Sequence, residues 1–202
     1  EQQIPGIGEV VPTFRSLLIY YDSYQLSYRE AADKIEELAR NLKAEQKTKK
    51  RILKIPCCYG ARFGPDLADM EQLTGLDRKE IIDIHRSVDY KVYMLGFLPG
   101  FAYLGGLDER IHVPRLKSPR LKIRRGAVGI GGSQTGIYPM DSPGGWRLMG
   151  ETPIDMYDPN REQPILVQAG DYIRFVPITI MDYYDIRRAV LDGKYQIEVT
   201  EE

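Results

Sequence analysis

Residues that build metal sites and disulfide frameworks are scarce in this sequence. Its 202 residues include two cysteines, Cys57 and Cys58, and two histidines, His85 and His112. Adjacent cysteines in an apolar run do not form a disulfide framework, and the histidines lie too far from them for the spacing of a zinc site. We therefore expect buried thiols and no metal centre.

Long hydrophobic runs and an excess of one charge are also missing. No run approaches the ~18 to 20 apolar residues of a membrane helix, and the first residues lack the pattern of a signal peptide. The formal net charge of −1 argues against general binding to nucleic acid. We expect a cytoplasmic, globular protein that binds neither a membrane nor nucleic acid.

Familiar motifs of nucleotide and hydrolase chemistry are absent. The sequence has neither a G-x-x-x-x-G-K-[ST] phosphate loop nor a G-x-G-x-x-G turn at the start of a helix. Ser133 lies in Gly-Gly-Ser-Gln-Thr-Gly, and not in the G-x-S-x-G turn that presents a serine nucleophile. ATP binding therefore cannot be predicted from motifs, and a serine hydrolase is disfavoured.

Strands and helices are mixed in the first part of the chain. Hydrophobic periodicity and capping residues predict, in chain order, a strand at 10–21, a helix at 28–44, a strand at 52–59, a short helix around 67–73 that stops at Gly75, and a helix that begins at the Asp77-x-x-Glu80 cap. We interpret residues 1–89 as an α+β domain.

Beyond residue 89 the pattern becomes that of an all-β domain. Short apolar runs separated by Gly and Pro continue to about residue 180, and a helix is predicted at 182–191. The segment 93–150 holds 12 of the 19 glycines, which permit the positive φ angles and close backbone approaches of bulges and barrel corners. Residues 90–202 therefore predict a β-barrel domain with a C-terminal helix, and we look for function in segment 93–150.

A strongly basic stretch suggests an anion site in this segment. No acidic residue lies between Glu109 and Asp141, whereas seven cations do: Arg110, Arg115, Lys117, Arg120, Lys122, Arg124 and Arg125. Arginine can hold a carboxylate or phosphate through a two-pronged hydrogen bond. The alternative interpretation is a basic strand face that is simply solvated. This interpretation is less favoured for Arg115 and Arg120, because each follows a proline that stiffens the backbone.

Polar residues between the glycines could orient a small ligand. Gln134, Thr135 and Tyr138 lie where the backbone can approach a ligand closely, although their side chains could equally satisfy turn backbone groups. Trp146 could plug the barrel or form a ligand platform. His85 is expected to be a satisfied histidine at a domain interface.

Taken together, these motifs resemble the KipI/PxpB family, whose members are also labelled allophanate hydrolase subunit 1 and the B subunit of 5-oxoprolinase. The motifs that carry the resemblance are Tyr59-Gly60 with Phe63-Gly64-Pro65-Asp66-Leu67, then residues 92–104 (VYMLGFLPGFAYL), then Gln134-Thr135-Gly136-Ile137-Tyr138-Pro139, and Ser142-Pro143-Gly144-Gly145-Trp146. The resemblance implies an α+β N-terminal domain followed by a cyclophilin-like all-β barrel.

The chain departs from the family pattern in three places. The family has a further strand and helix before the Pro5-Gly6-Ile7 region, so the first domain is expected to lack these elements and to expose a strand edge at 13–21. Ile123-Arg124-Arg125-Gly126 stands where the family usually has Val-Pro-Ala-Gly, and Gly150-Glu151-Thr152-Pro153 where it has Gly-Arg-Thr-Pro. The last change places an anion at position 151, which weakens any anion-binding role there.

By resemblance, the chain is one component of an ATP-dependent enzyme that opens 5-oxoproline to glutamate. The implied partners are a PxpC/KipA-type barrel subunit and a LamB/YcsF-type subunit, and ATP is implied as the energy source. In that mechanism we predict Arg115 and Arg120 as carboxylate or phosphate clamps, with Gln134, Thr135 and Tyr138 orienting the small-molecule substrate. The resemblance leaves two alternatives open: an inhibitor that binds a sensor histidine kinase, and a carboxyltransferase component of a urea carboxylase system that needs a biotin carrier.

Overall fold

The first part of the chain forms a β-hairpin followed by one helix. The structure, a computed structural model, describes residues 4–41 and 49–202, and the chain divides into two units, Glu1–Lys49 and Lys50–Glu202. In the first unit, β1 (Ile7–Pro12) pairs antiparallel with β2 (Leu17–Tyr21), and α1 spans Tyr28–Asn41.

The hairpin replaces the single strand predicted at 10–21, which was wrong. The Thr13 hydroxyl accepts a hydrogen bond from the Ser16 backbone N–H (3.0 Å) and donates one to the Ser16 carbonyl (2.9 Å), which closes a turn. Hydrogen bonds of this kind between side chain and backbone can close a turn without glycine or proline inside it. The turn was therefore not recognised within a run of β-branched and aromatic residues. Among the described residues β2 has one partner strand, and the absence of a further strand and helix stays a prediction.

Helix α1 begins where its capping box predicts. The Ser27 backbone N–H donates to the Glu30 carboxylate (2.8 Å), and the Glu30 backbone N–H donates to the Ser27 hydroxyl (3.3 Å). These reciprocal bonds satisfy amides that the helix itself leaves free. The predicted end of the helix, at 44, lies outside the described residues.

The second unit contains ten strands and three helices within the described residues. In chain order they are β3 (Arg51–Tyr59), α2 (Leu67–Thr74), α3 (Arg78–Arg86), β4 (Asp89–Leu95), β5 (Ala102–Gly105), β6 (Arg120–Ile123), β7 (Ala127–Gly131), β8 (Gln134–Ile137), β9 (Ser142–Gly144), β10 (Arg147–Glu151), β11 (Tyr172–Pro177), α4 (Ile180–Leu191) and β12 (Glu198–Glu201).

Seven of these strands close into a barrel, as predicted. The order is β10-β7-β8-β5-β4-β11-β3, and β3 pairs again with β10, so the sheet joins its own ends. Strand β12 adds to β3 outside the ring, and β6 and β9 form a separate two-stranded ribbon. Closure leaves no unpaired edge within the ring.

The division between the units differs from the one predicted near residue 89. Strand β3 lies before residue 89 in the chain but pairs in parallel with β11 from Ile52 opposite Tyr172 to Cys57 opposite Pro177. It is therefore a barrel strand, and the second unit begins at Lys50. Sequence periodicity identified the strand correctly but could not identify its distant partner.

Local signals for the helices of the second unit were accurate. Helix α2 ends at Gly75, which has φ +73°, and α3 begins with a capping box between Asp77 and Glu80. The short loop between these helices thus follows from glycine's access to the left-handed region and from reciprocal capping. Within residues 4–41 and 49–202, no helix is both long enough and apolar enough to cross a membrane.

Candidate active site

One cleft of the barrel unit brings aromatic side chains together with an arginine. We call it the aromatic cleft; it has a volume of about 140 Å³ and is lined by Phe97, Phe101, Tyr103, Arg115, Tyr138 and Trp146, together with the backbone of residues 143–145. It lies within the segment 93–150 in which function was predicted. The cleft is therefore our candidate active site.

Phe101 is the centre of the aromatic wall. Its ring makes edge-to-face contacts with the rings of Tyr103, Tyr138 and Trp146 at centroid distances of 5.4, 5.6 and 5.5 Å. Contacts of this geometry stabilise aromatic clusters beyond simple burial. Phe101, Tyr138 and Trp146 are all buried and form an apolar cluster separate from the barrel core, so the wall of the cleft is firmly packed.

Two glycines make this packing possible. A Cβ atom at Gly131 would overlap the indole Nε1 of Trp146, and a Cβ atom at Gly144 would overlap the hydroxyl oxygen of Tyr138. Only glycine lets the backbone approach these side chains so closely. The glycine richness of the segment therefore serves ring packing around the cleft as well as the barrel corners.

Trp146 both fills the aromatic cluster and lines the cleft, so the two roles considered for it, barrel plug and ligand platform, are not exclusive.

Arg115 stands at the mouth of the cleft. Its guanidinium carbon lies 6.0 Å from the centroid of the Trp146 ring, close enough for a cation–π contact. The backbone on both sides is held, because the Leu116 N–H donates to the Gly145 carbonyl (2.7 Å) and the Arg147 Nε donates to the Pro114 carbonyl (3.0 Å). None of the described carboxylates pairs with Arg115, so its charge is available to a ligand.

Arg120 does not line the cleft but contacts the backbone of Trp146, which does. Its Nη2 donates to the Asp66 carboxylate at 2.6 Å, and its Nη1 reaches the Trp146 carbonyl at 3.4 Å. Asp66 is 5% exposed, and its second oxygen accepts the Leu148 backbone N–H at 2.6 Å. The predicted role of Arg120 as a substrate clamp therefore competes with a strong intramolecular partner, and the geometry fits a positioning role better.

Tyr138 reaches the cleft from the buried side. Burial raises the pKa of its hydroxyl, and a hydrogen bond from the Trp146 backbone and the charges of Arg115 and Arg120 oppose that rise. Its proton therefore stays on the oxygen near neutral pH, and the hydroxyl can donate a hydrogen bond to a ligand. Of the five predicted site residues, Arg115 and Tyr138 are the two that line the aromatic cleft.

Thr135 and Gln134 are directed elsewhere. Thr135 is fully buried in the barrel, where its hydroxyl donates to the Gly129 carbonyl (3.1 Å) and contacts the Nε2 of His85 (2.8 Å). Gln134 begins β8 opposite Gly131, is half-buried and does not line the aromatic cleft. Arg120 and Gln134 therefore do not line the aromatic cleft together with Tyr138.

His85 is satisfied, as expected, but inside the barrel unit and not at a domain interface. Its Nδ1 lies 2.8 Å from the Tyr59 hydroxyl, and its Nε2 contacts Thr135. Complete burial lowers the pKa of His85 to about 3, so the ring is neutral and takes part in a buried polar network. This network accounts for Thr135 without any contact with a ligand.

A second cleft of about 240 Å³, which we call the charged cleft, contains three of the seven cations of the basic stretch. It is lined by Lys122, Arg124, Arg125, Glu151, Asp155 and Arg187, with Asp141 and Tyr183 beside them. Each cation faces a carboxylate: the nitrogen–oxygen distances are 2.8 Å for Lys122–Asp141, 3.2 Å for Arg124–Glu151, and 3.3 and 2.8 Å from Arg125 and Arg187 to Asp155. Because Arg125 and Arg187 share Asp155, four cations face three carboxylates, and every cation of this part of the predicted anion site already has an intramolecular partner.

The two inner departures from the family pattern meet in the charged cleft. Glu151 is 7% exposed and accepts hydrogen bonds from Arg124 and from the Tyr183 hydroxyl. The acid at 151 and the arginine at 124 thus pair with each other in this chain.

Several residues that line the aromatic cleft, and Asp66, which pairs with Arg120 beside it, were not named as candidate site residues from the sequence. Asp66 lies 54 residues from Arg120, so no local pattern joins them. Phe97, Phe101 and Tyr103 belong to one of the motifs that carried the resemblance, but hydrophobic residues in a strand-and-turn segment are normally assigned to a core. The available signal was the Gly-Phe-Leu-Pro-Gly-Phe sequence, in which two phenylalanines flank a tight turn.

Comparisons with known proteins agree with the motif resemblance. Residues 1–167 match the family described as carboxyltransferase domain, subdomain C and D. The chain is 42% identical over 194 residues to the B subunit of 5-oxoprolinase from Bacillus subtilis, and the match covers 91% of this chain and 81% of the relative. A crystal structure of a conserved uncharacterized protein from Pyrococcus horikoshii matches with a TM-score of 0.64 and 42% identity over 89% of this chain and 82% of that one.

A more distant structure supports the fold alone. The crystal structure of the K. lactis urea amidolyase matches with a TM-score of 0.77 at 23% identity, over 98% of this chain and 14% of that one. The family match and the 42% identical relative together decide the membership. The chain belongs to the carboxyltransferase subdomain C and D family, and within it to the KipI/PxpB group that contains the B subunit of 5-oxoprolinase.

Proposed function

We propose that this chain is the B subunit of a 5-oxoprolinase and that its aromatic cleft binds 5-oxo-L-proline. The observation that carries the proposal is the pairing, in one cleft, of an arginine without a carboxylate partner among the described residues and a wall of packed aromatic rings. The 42% identity to the Bacillus subtilis protein supports the same assignment.

The chemistry of the substrate fits these groups. 5-Oxoproline is a small five-membered lactam that carries one carboxylate. Arg115 would bind the carboxylate through its guanidinium, the aromatic edges would cover the methylene groups of the ring, and the Tyr138 hydroxyl would donate to an oxygen of the ligand. Arg120 would keep the Trp146 backbone, and with it the indole wall, in position.

Ring opening needs an energy source, because an unstrained lactam is a poor electrophile. ATP would supply it by phosphorylating the lactam carbonyl oxygen when it is bound in the assembled enzyme. The charged cleft does not fit the triphosphate, since its cations already face carboxylates. We therefore assign ATP to the partner subunits and derive no step of this chain from it.

The partners proposed are a PxpC/KipA-type barrel subunit and a LamB/YcsF-type subunit. Arg115 is exposed at the mouth of the aromatic cleft, so a second barrel could cover the ligand and complete the site from the other side. The cleft supplies a cation, a hydroxyl donor and an apolar wall, and these groups bind and orient a ligand. The groups that transfer phosphate and activate water would come from the partners, and this chain alone would be inactive.

The test is reconstitution. Glutamate release from 5-oxoproline is measured for this chain alone, for the chain with each partner, and for all three proteins with ATP. We expect turnover in the complete ATP-containing mixture and none from the chain alone. Turnover by this chain without partners would reject the shared site, and no turnover in the complete mixture, with assembly verified by co-elution, would reject the proposed function.

A carboxyltransferase role is the second candidate, favoured by the family match itself. It would transfer a carboxyl group delivered on biotin by a carrier protein, as a component of a urea carboxylase system. The same purified complex can be tested for carboxyl transfer from a carboxylated biotin carrier to urea. Transfer at a rate above the ring-opening rate would reverse the order of the two candidates. A kinase-inhibitor role remains the outcome to examine if neither reaction occurs.

A further inference from the structure

Phe97 combines two unusual properties at the rim of the aromatic cleft. Its φ angle is +68°, a left-handed conformation that only Phe97 and Ala61 adopt among the described residues other than glycine. The residue is also 66% exposed. A bulky residue in this region of φ carries strain, and such strain persists mainly where function requires it.

The loop around Phe97 fixes this conformation from both sides. The Gly96 N–H donates to the Phe101 carbonyl (3.1 Å), the Leu98 N–H donates to the Gly96 carbonyl (2.8 Å), and the Phe101 N–H donates to the Leu98 carbonyl (3.0 Å). Gly96 and Gly100 both lie in this turn, yet a positive φ angle occurs at a phenylalanine as well as at Gly100, where glycine adopts it without strain. Glycine at 97 would suit the backbone better, so the side chain itself is the feature that the loop presents.

The ring of Phe97 belongs to the wall of the aromatic cleft. It stacks edge to face on Phe101 at a centroid distance of 5.7 Å and an interplanar angle of 89°, and Phe101 in turn contacts Tyr138 and Trp146. Phe97 and Arg115 line the same cleft. One face of an exposed aromatic ring and one available guanidinium therefore border the same small space.

We propose that Phe97 is a specificity-determining residue: its ring covers the apolar face of a small cyclic carboxylate while Arg115 binds the carboxylate group. This inference rests on the proposed function, and it identifies the Phe97 ring as the group that selects the ring size of the substrate. A five-membered lactam leaves its methylene groups against the Phe97 ring, whereas a six-membered lactam carries one more methylene into the same space. The backbone conformation at Phe97 fixes the position of its ring in the cleft wall, and this position limits the space that is left for the ligand.

Three substitutions separate the effect of the aromatic side chain from the effect of the backbone strain at position 97. Phe97→Gly removes the ring and relieves the backbone, Phe97→Ala removes the ring and keeps the strain, and Phe97→Leu keeps apolar bulk without an aromatic face. Because Phe97 is an exposed residue, we expect each variant to remain folded, with Phe97→Gly melting no lower than Phe97→Ala. Loss of substrate binding should be similar in Phe97→Gly and Phe97→Ala, since both lack the ring.

The experiment uses the complete ATP-containing enzyme with two lactam carboxylates, the five-membered 5-oxoproline and its six-membered homologue. For Phe97→Ala and Phe97→Gly we expect KM for 5-oxoproline to rise about tenfold with a smaller change in kcat, and the preference for the five-membered ring to fall by a similar factor; one methylene group in an apolar pocket is worth roughly ten- to two-hundredfold in discrimination. Leu121→Ala is the matched control, because Leu121 is apolar, 94% exposed and outside the cleft.

The possible results are distinguishable. Unchanged KM and unchanged ring-size preference in both variants would overturn the inference while leaving the proposed function in place. Weakened co-elution with the partner subunits, with normal KM in the fraction that assembles, would overturn it in favour of a docking role for Phe97. An inactive wild-type complex would reject the proposed function, and the ligand class assigned to Phe97 with it.

Discussion

The two clefts of the barrel unit are built on a similar plan but differ in the charge they offer a ligand. In each, a nearly buried carboxylate holds one arginine: Asp66 holds Arg120 beside the aromatic cleft, and Glu151 holds Arg124 in the charged cleft. The aromatic cleft has a further arginine, Arg115, to which no described carboxylate is paired. In the charged cleft each of the four cations faces a carboxylate, and Asp155 is shared between Arg125 and Arg187. The number of cations in a stretch of sequence therefore says less about an anion site than the pairing that the fold imposes on them.

This comparison predicts its largest effect for Arg115→Ala. A hydrogen bond to a charged group is worth about 1.5–3 kcal/mol, so kcat/KM for 5-oxoproline in the complete enzyme should fall roughly ten- to a hundredfold. Thermal stability should hardly change, because Arg115 is exposed. The control is Arg125→Ala in the charged cleft, which should retain nearly full activity. Equal losses in the two variants would contradict the distinction between the clefts.

The next effect is expected for Asp66→Asn, which tests whether Arg120 holds the wall of the aromatic cleft in place. Asparagine can still accept the Leu148 N–H, but it removes the charge that faces Arg120, whose side chain is 30% exposed. Losing a partly buried charged hydrogen bond should destabilise the fold by about 1–3 kcal/mol. Urea unfolding measures this change, and the fluorescence of Trp146, the one tryptophan in the chain, reports on the cleft.

Asp69→Asn is the matched control for that variant. Asp69 pairs with Arg147 at 2.8 Å; the Asp69 side chain is 58% exposed and that of Arg147 is 13% exposed. Arg147 keeps its hydrogen bond to the Pro114 carbonyl when the Asp69 charge is removed, so we expect a smaller loss than for Asp66→Asn. If Asp69→Asn destabilises the protein as much as Asp66→Asn, or if Trp146 fluorescence is unchanged by the latter, Arg120 does not position the wall.

The sequence was informative wherever the relevant interaction is local. The capping boxes at Ser27–Glu30 and Asp77–Glu80 and the glycine stop at Gly75 each involve residues a few positions apart, so residue type and spacing were sufficient. The glycine-rich segment predicted the barrel for a similar reason, because each tight corner is a local requirement. The turn between Thr13 and Ser16 was missed because its side-chain hydrogen bonds leave no glycine or proline signal.

The candidate site was only partly predictable, since its electrostatics depend on distant pairs. Asp66 and Arg120 are 54 residues apart, and Arg124 and Glu151 are 27 apart, so a stretch that lacks acids along the chain is not free of acids in space. The burial of Thr135 inside the barrel could not be predicted for a related reason. Its hydrogen-bonding partner, His85, lies on a helix 50 residues earlier, and only the fold shows that a threonine between glycines faces the barrel interior.

The smallest effect is expected for Arg124→Ala in the charged cleft. The Arg124 side chain is 57% exposed, and Glu151 keeps the hydrogen bond from Tyr183 when Arg124 is removed. We expect a loss of about 0–1 kcal/mol in the free energy of unfolding and little change in kcat/KM. A double-mutant cycle with Glu151→Gln measures the coupling of the pair directly. Because the cycle subtracts the effect of each single change, it separates the ion pair from the Tyr183 contact. A tenfold loss of activity in Arg124→Ala, with assembly intact, would place the anion site in the charged cleft and reverse the comparison.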